Sequence, residues 1–288
     1  MSEQSLVELK KIMSKVWFVT GSSRGLGRKI VEAALNAGDK VVATARKPEQ
    51  LKDLTEAYRD RVLALALDVT DSADVAKAVE QGRKTFGRYD IVVNNAGYGD
   101  TAAIEDTTIE SFEKQIATNF LGVVYVTKAV LPILREQGSG HIFQISSLGG
   151  RIGAVGLGAY QSAKWAVGGF STVLAQEVAP LGIRVTVLEP GGMKTDWAGS
   201  SMTIPPVSAP YEQTVGGFAK MLRDHSGSEP TDPAKVAQVV LRLSDRDDAP
   251  VRLLLGTDAV QYAAAAAKAL ADSDQKWHDL SVSVAFDK

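Results

Sequence analysis

Six times along this chain a short apolar, β-branched run is followed by a stretch with helical periodicity, and the runs lack polar alternation. They fall at 16–19, 40–46, 61–68, 89–94, 141–147 and 183–188. A strand that is apolar on both sides has to be covered on both sides. The pattern therefore predicts an α/β fold, a single-domain doubly wound parallel sheet with helices on both faces and right-handed crossovers. With 288 residues, 45% of them hydrophobic, the chain can bury one large core. Helices are expected near 109–134 and 159–178, where broad apolar faces suit a homo-oligomer interface. After Glu189 the rhythm breaks. Glycines and prolines at 191, 192, 205, 206, 210, 216 and 217 mark a long segment, a mobile lid at about 192–228. A helix from 233 to 243 and a strand at 251–255 bring the sheet to about seven strands. Asp258 is positioned to cap an alanine-rich helix through Leu270.

The turn after the first strand, Thr20-Gly21-Ser22-Ser23-Arg24-Gly25-Leu26-Gly27, places three glycines before a helix start. Gly21 suits the tight turn, Gly25 a close approach of backbone to a pyrophosphate, and Gly27 close packing of helix on strand. The helix N-terminus adds unpaired N–H groups and partial positive charge. A plain strand–helix turn would use glycines too. In such a sheet a ligand lies beyond the carboxyl ends of the strands, and other candidates stand there. Arg46 follows the second strand, and Ala45 stands where an acid would bind ribose hydroxyls. Arg24 and Arg46 without an acid favour NADP(H), because guanidinium binds a 2′-phosphate that a carboxylate would repel; each alone also reads as a solvated surface charge. Asp68 either accepts from an adenine amino group or serves as a turn acid. Asn94-Asn95-Ala96-Gly97 can tie neighbouring strands together and leave room for a ligand.

Tyr160 and Lys164 lie four residues apart on one helix face. A phenol is a poor base at neutral pH. A cation about 4 Å away, at an effective dielectric of about 20, is worth about 4 kcal/mol and would bring Tyr160 toward neutrality. Ser147, after the fifth strand, is placed to polarise a carbonyl oxygen, and Asn119 to hold a water joining Lys164 to solvent.

Taken in order, Thr20-Gly21-x-x-x-Gly25-x-Gly27, Asp68, Asn94-Asn95-Ala96-Gly97, Asn119, Ser147, Tyr160-x-x-x-Lys164 and Pro190-Gly191-x-x-x-Thr195 resemble the short-chain dehydrogenase/reductase superfamily, in its short, non-extended branch. The stretch 42–46 and the long tail are similar to bacterial oxidoreductases of the hydroxysteroid and retinol dehydrogenase type. The resemblance implies a Rossmann-like fold and an NADP(H)-dependent oxidoreductase interconverting a ketone or aldehyde and an alcohol. It implies Tyr160 as general acid/base, Lys164 as its modifier and nicotinamide-ribose ligand, Ser147 for orienting substrate and Asn119 for the relay water. Gly21, Ser23, Arg24, Gly25, Leu26, Gly27, Arg46, Asp68, Val69, Asn95, Ala96, Gly97, Pro190, Gly191, Met193 and Thr195, together with Tyr160 and Lys164, complete the implied cofactor site. The chain then divides into an extension at 1–14, a dinucleotide-binding catalytic region at 15–260 and a helical extension at 261–288. Gln144 departs from the asparagine many members carry there.

Other classes are disfavoured. A net charge of −2 leaves no footprint for nucleic acid, and the absence of cysteine removes disulfides and thiolate chemistry. His141, His225 and His278 lack metal-ligand spacing. No uninterrupted apolar run of 18 residues suggests a membrane span, and the polar N-terminus does not read as a signal peptide, so a cytoplasmic protein is expected. Lid residues Met193, Trp197, Met202, Ile204, Pro205, Pro206, Val207, Tyr211, Phe218 and Met221 suit a hydrophobic carbonyl substrate. Arg151 is available for an acidic group. Two alternatives stay open: a catalytically silent NADP(H) sensor, and a reductase of carrier-linked ketoacyl groups docking at Lys220 and Arg223.

Overall fold

Val16 and Phe18 pack to one side of the first strand and Trp17 and Val19 to the other, and all four are buried. This is the two-faced burial that the apolar runs require. In the computed structural model, which describes residues 14–199 and 201–286, the strands are β1 (Val16–Val19), β2 (Lys40–Ala45), β3 (Val62–Ala66), β4 (Ile91–Asn94), β5 (Gly140–Ile145), β6 (Ile183–Pro190) and β7 (Arg252–Leu255). They form one seven-stranded sheet in the order β3-β2-β1-β4-β5-β6-β7, parallel at every pairing.

The helices are α1 (Gly25–Asn36), α2 (Lys52–Tyr58), α3 (Ser72–Phe86), α4 (Ile109–Ile116), α5 (Gly122–Gln137), α6 (Gly158–Val178), α7 (Gly217–His225), α8 (Pro233–Ser244), α9 (Thr257–Lys276) and α10 (His278–Val282). One core layer packs α1, α2 and α8 against the sheet through Ile30, Val31, Leu54, Val236 and Val240, with Leu51 from the turn before α2. The other packs α3, α5 and α6 through Val75, Val79, Val126, Val130 and Leu174. The chain reverses direction across the sheet between β1 and β4, which opens a crevice at their carboxyl ends.

Several local expectations change. The helix read at 109–134 is α4 and α5 joined by a π-turn at Ala117–Leu121, and it runs on to Gln137. By length and composition alone this rod could cross a membrane, with a window of mean hydropathy 1.5. Its Val126, Val130, Ile133 and Leu134 instead pack into the core, and Thr127 accepts hydrogen bonds from Asn94 and Gln144 inside it. Asp71 caps α3 by accepting from the N–H groups of Ala73 and Asp74. Asp258 does not cap α9: the residue at that N-cap is Gly256, and the Asp258 carboxylate crosses to the N–H of Gly192, 2.7 Å away. The extension expected at 1–14 lies outside the described residues up to residue 13. On α4 and α6, Ile109, Trp165 and Val173 are exposed, and the expected self-association would rest on them.

His141 is fully buried on β5 beside Phe143. The Thr186 hydroxyl donates to the Pro250 carbonyl, so it accepts from Nε2–H of His141, 2.9 Å away; this sets the tautomer. Nδ1 then faces no hydrogen-bond partner in the core. Burial, aided by Arg184 and Lys15, pushes the imidazole pKa down to about 3. The folded chain thus binds this proton far less readily than the unfolded one. The stability this group contributes is complete above about pH 6.5 and is lost as pH falls from there toward about 3. Between about pH 6.5 and about pH 5 the expected loss is about 2 kcal/mol. Denaturant titrations across that range should show the loss in the wild type and a flatter profile in His141→Gln.

Candidate active site

The crevice is built from the segments that leave the carboxyl ends of β1, β4, β5 and β6. Gly21 and Gly25 adopt φ +67° and +57°, a region costly for other residues. A Cβ on Gly27 would stand 2.3 Å from the Gly21 carbonyl oxygen and 2.4 Å from Nδ2 of Asn95. That amide donates to the carbonyls of Thr20 and Gly21, 3.0 Å each, while Thr20 Oγ1 accepts from the N–H groups of Asn95 and Ala96. Asn95 therefore ties β4 to the glycine turn. Asn94 ties β4 to β5 through Oε1 of Gln144, 2.8 Å away, so the glutamine fills the asparagine's place with a bond of its own.

The arrangement fits a dinucleotide. No side chain caps α1 and its first turn carries no acid, which leaves a positive helix end facing the crevice. Beside Gly25 a Cβ would meet only Thr195, at 3.9 Å. Thr195 thus lies across the crevice from the glycine turn, while the partly exposed Ser23 lies within that turn. Leu26, Val69 and Pro190 are buried and offer a ligand only backbone. Met193 packs against the core, and its neighbour Lys194 bonds to the Thr231 carbonyl. Pro190 ends β6. The N–H of Gly191 is held by the Leu255 carbonyl and that of Gly192 by Asp258, so both donors are already engaged.

Arg46 is exposed just past β2. Arg24 lies 3.6 Å from the Asp196 carboxylate, both well exposed. The Asp68 Oδ1 accepts from Thr70 N–H and hydroxyl, and those bonds, together with the nearby Arg46 charge, hold its pKa below the ordinary range.

Tyr160 and Lys164 sit on the buried face of α6, 8% and 4% exposed. Lys164 Nζ donates to the Ile145 carbonyl at 2.8 Å and stands 5.6 Å from the centre of the phenol ring. The expected lowering of Tyr160 toward neutrality is not what this geometry produces. Burial pushes the phenol up to about 12, opposed by Ser147, and pushes the ammonium down to about 8. Removal from water is the leading cause of each shift. Such a phenol is protonated at neutral pH and suited to giving a proton. The Ser147 Oγ also accepts from the Gly149 N–H, 3.0 Å away, which fixes the turn after β5.

Asn119 lies in the π-turn, fully buried. Its Nδ2 donates to the carbonyls of Tyr98 and Gln115, and its Oδ1 accepts from Tyr98 N–H. Both amide hydrogens are used, so the carboxamide clasps the segment after β4. A Cβ on Gly97 would touch Asn119 Oδ1 at 2.6 Å and lie 3.6 Å from Lys164 Nζ; the missing side chain keeps Gly97, Asn119 and Lys164 together.

Four features were missed or misread from sequence. Arg151 is not waiting for an acidic ligand: it and Arg252 both pair with the fully buried Glu189 on β6. An acid at the end of an otherwise apolar strand run was the available signal for a buried ion pair. Arg223 donates to the carbonyls of Ala198, Gly199 and Met202, which ties it to the lid, while Lys220 pairs with Asp224 at the surface. Trp197 lies against the Tyr160 ring, centroids 5.1 Å apart. Gly99 sits where those two rings meet. Among the described residues no group of acids and histidines could hold a metal.

Residues 15–203 match the family described as short chain dehydrogenase. The chain is 62% identical over 274 residues to "Oxidoreductase BOA17" of Botryotinia fuckeliana, covering 95% of this chain and all of the relative. Its fold matches a short-chain dehydrogenase structure from Streptomyces avermitilis with a TM-score of 0.90 at 37% identity, covering 95% and 100% of the two chains. An alcohol dehydrogenase structure from Thermococcus sibiricus, complexed with 5-hydroxy-NADP, matches with a TM-score of 0.71 at 27% identity, covering 85% and 97%.

Proposed function

This chain belongs to the short-chain dehydrogenase family and is an oxidoreductase with a nicotinamide cofactor, and from that premise we propose that it is an NADP(H)-dependent reductase of hydrophobic ketones or aldehydes. The observation that carries this reading is the buried Tyr160 beside Ser147 and Lys164, at the crevice lined by the glycine turn. When bound, the reduced cofactor supplies the hydride. Tyr160 donates its proton to the carbonyl oxygen as the carbonyl carbon receives that hydride. The Ser147 hydroxyl, next to the phenol, holds the same oxygen and stabilises the charge that builds there. Lys164 keeps a cation near the phenol and is the residue to hold the nicotinamide ribose. Glu189, through Arg151 and Arg252, anchors the turn that carries Ser147 to β6 and β7. The apolar lid supports a hydrophobic substrate.

A preference for NADP(H) is supported by Arg24 and Arg46 at the glycine turn and the end of β2, by the buried Ala45 in place of an acid, and by the NADP analogue named in the Thermococcus structure. The double change Ala45→Asp and Arg46→Ala is expected to shift the NADPH-to-NADH ratio of kcat/KM by about 10–100-fold toward NADH, the worth of charge-assisted bonds to phosphate. An unchanged ratio would place the 2′-phosphate elsewhere.

The function itself is tested by following NADPH consumption against steroid, retinoid, aromatic and aliphatic ketones. Turnover of at least one hydrophobic ketone is expected. Tight NADPH binding with no turnover in either direction across the panel would reject the reductase and favour a silent sensor.

A further inference from the structure

The lid residue packed on the Tyr160 ring is Trp197, and its position is built rather than incidental. Its indole meets the Tyr160 ring at 5.1 Å between centroids and an interplanar angle of 54°. The contact exists because residue 99 is glycine: a Cβ there would lie 2.7 Å from Trp197 Cζ2 and 3.1 Å from Tyr160 Cδ2. The backbone is held on both sides. The Thr195 hydroxyl accepts from Trp197 N–H at 3.3 Å, and Arg223 grips the three carbonyls of Ala198, Gly199 and Met202 from α7. Beyond them, Thr101 N–H bonds to the Thr203 carbonyl, Asp100 accepts from Thr203 N–H, and the Thr101 hydroxyl meets Met202 Sδ. The strap carrying the indole is thus stitched to the segment after β4.

We propose that Trp197 is the specificity-determining wall of the carbonyl site, selecting a flat aromatic ketone whose ring lies along the indole while its carbonyl reaches Tyr160. This rests on the reading that Tyr160 is the group that meets the carbonyl. The half-buried indole is packed on the ring of the buried phenol and forms one side of its surroundings. Aromatic pairs gain from offset or edge-to-face contact, and a saturated ring of the same size lacks that quadrupole and is thicker. The strap enters pre-ordered, so little is lost in arranging this wall when the substrate arrives.

The test compares acetophenone with cyclohexyl methyl ketone, a pair of like size differing in the flatness of one ring. The readout is the ratio of their kcat/KM values with NADPH in wild type, Trp197→Phe and Trp197→Ala. The wild-type ratio is expected to favour acetophenone by tenfold or more, Trp197→Phe to keep most of that preference, and Trp197→Ala to lose it. NADPH affinity is measured on all three to show that the crevice is intact. A ratio near one in wild type, or one unaltered in Trp197→Ala, overturns the proposal. If the wild type turns over neither ketone, calorimetry on the NADP⁺ complex decides. Preferential acetophenone binding that disappears in Trp197→Ala keeps the wall and rejects the catalytic reading; binding of neither ketone, or equal binding of both, overturns the wall.

Discussion

Tyr160→Phe is expected to lower ketone reduction by about 10²–10⁴-fold, the usual worth of a positioned general acid, while NADPH binds as before. The substitution removes one hydroxyl and leaves the ring against Trp197 and Gly99, so the packing of α6 is conserved. Lys164 is anchored to the Ile145 carbonyl independently of the phenol. Steady-state turnover and a parallel NADPH titration read the two effects apart, and near-normal turnover in the variant would remove Tyr160 from the proton-transfer step. The pH behaviour follows from the same burial. With the phenol at about 12, the proton donor is loaded throughout the neutral range, so reduction should be flat from about pH 6 to about pH 7.5. Its alkaline limb should begin as Lys164 loses its proton near 8, because a neutral amine no longer offsets charge at the site. Oxidation of an alcohol needs the phenolate and should rise with pH over the same range.

Gly27→Ala is expected to cost about 3 kcal/mol of stability and to abolish useful NADPH binding. A Cβ would enter the space between the Gly21 carbonyl and the Asn95 amide, at 2.3 and 2.4 Å. Asn95 can retreat only by giving up its bonds to Thr20 and Gly21, and with them the fastening of β4 to the glycine turn. In a chain of this size the cost corresponds to a fall in Tm of roughly 5 °C. Gly25→Ala is the matched control. Its Cβ would meet only Thr195 at 3.9 Å, leaving the strain of a positive φ, so a smaller stability loss is expected. Its affinity for NADPH should still collapse, since that Cβ occupies the side of the turn open to the crevice. Differential scanning calorimetry beside cofactor titration separates the outcomes. Equal stability loss in the two variants would mean that Gly27 is not the packed position.

Much of this architecture was legible in the order of residues. Runs such as 16–19 and 91–93, apolar at consecutive positions, can be satisfied only by cover on both faces, and that demands helices on both sides of a parallel sheet. The glycine spacing placed the crevice, and the Tyr160–Lys164 spacing placed two polar groups on one face of α6. The Asn94-Asn95 pair announced ties between strands, and both ties exist.

Local pattern and element order therefore belong to the sequence by itself, because strand and helix periodicity act over a few residues. The electrostatics belong to the tertiary structure. Four-residue spacing suggested that Lys164 would pull the phenol pKa down; the depth at which α6 is buried pushed it up, since desolvation depends on every neighbour at once. Asp258 had the look of a helix cap, but the approach of β6 to the start of α9 gave its carboxylate to Gly192. Arg151 resembled a ligand for an acid until the fold supplied Glu189, 38 positions away. The meeting of Gly99, Tyr160 and Trp197 leaves no signature in the sequence, because three segments converge only after the sheet has formed and the lid has been laid across it.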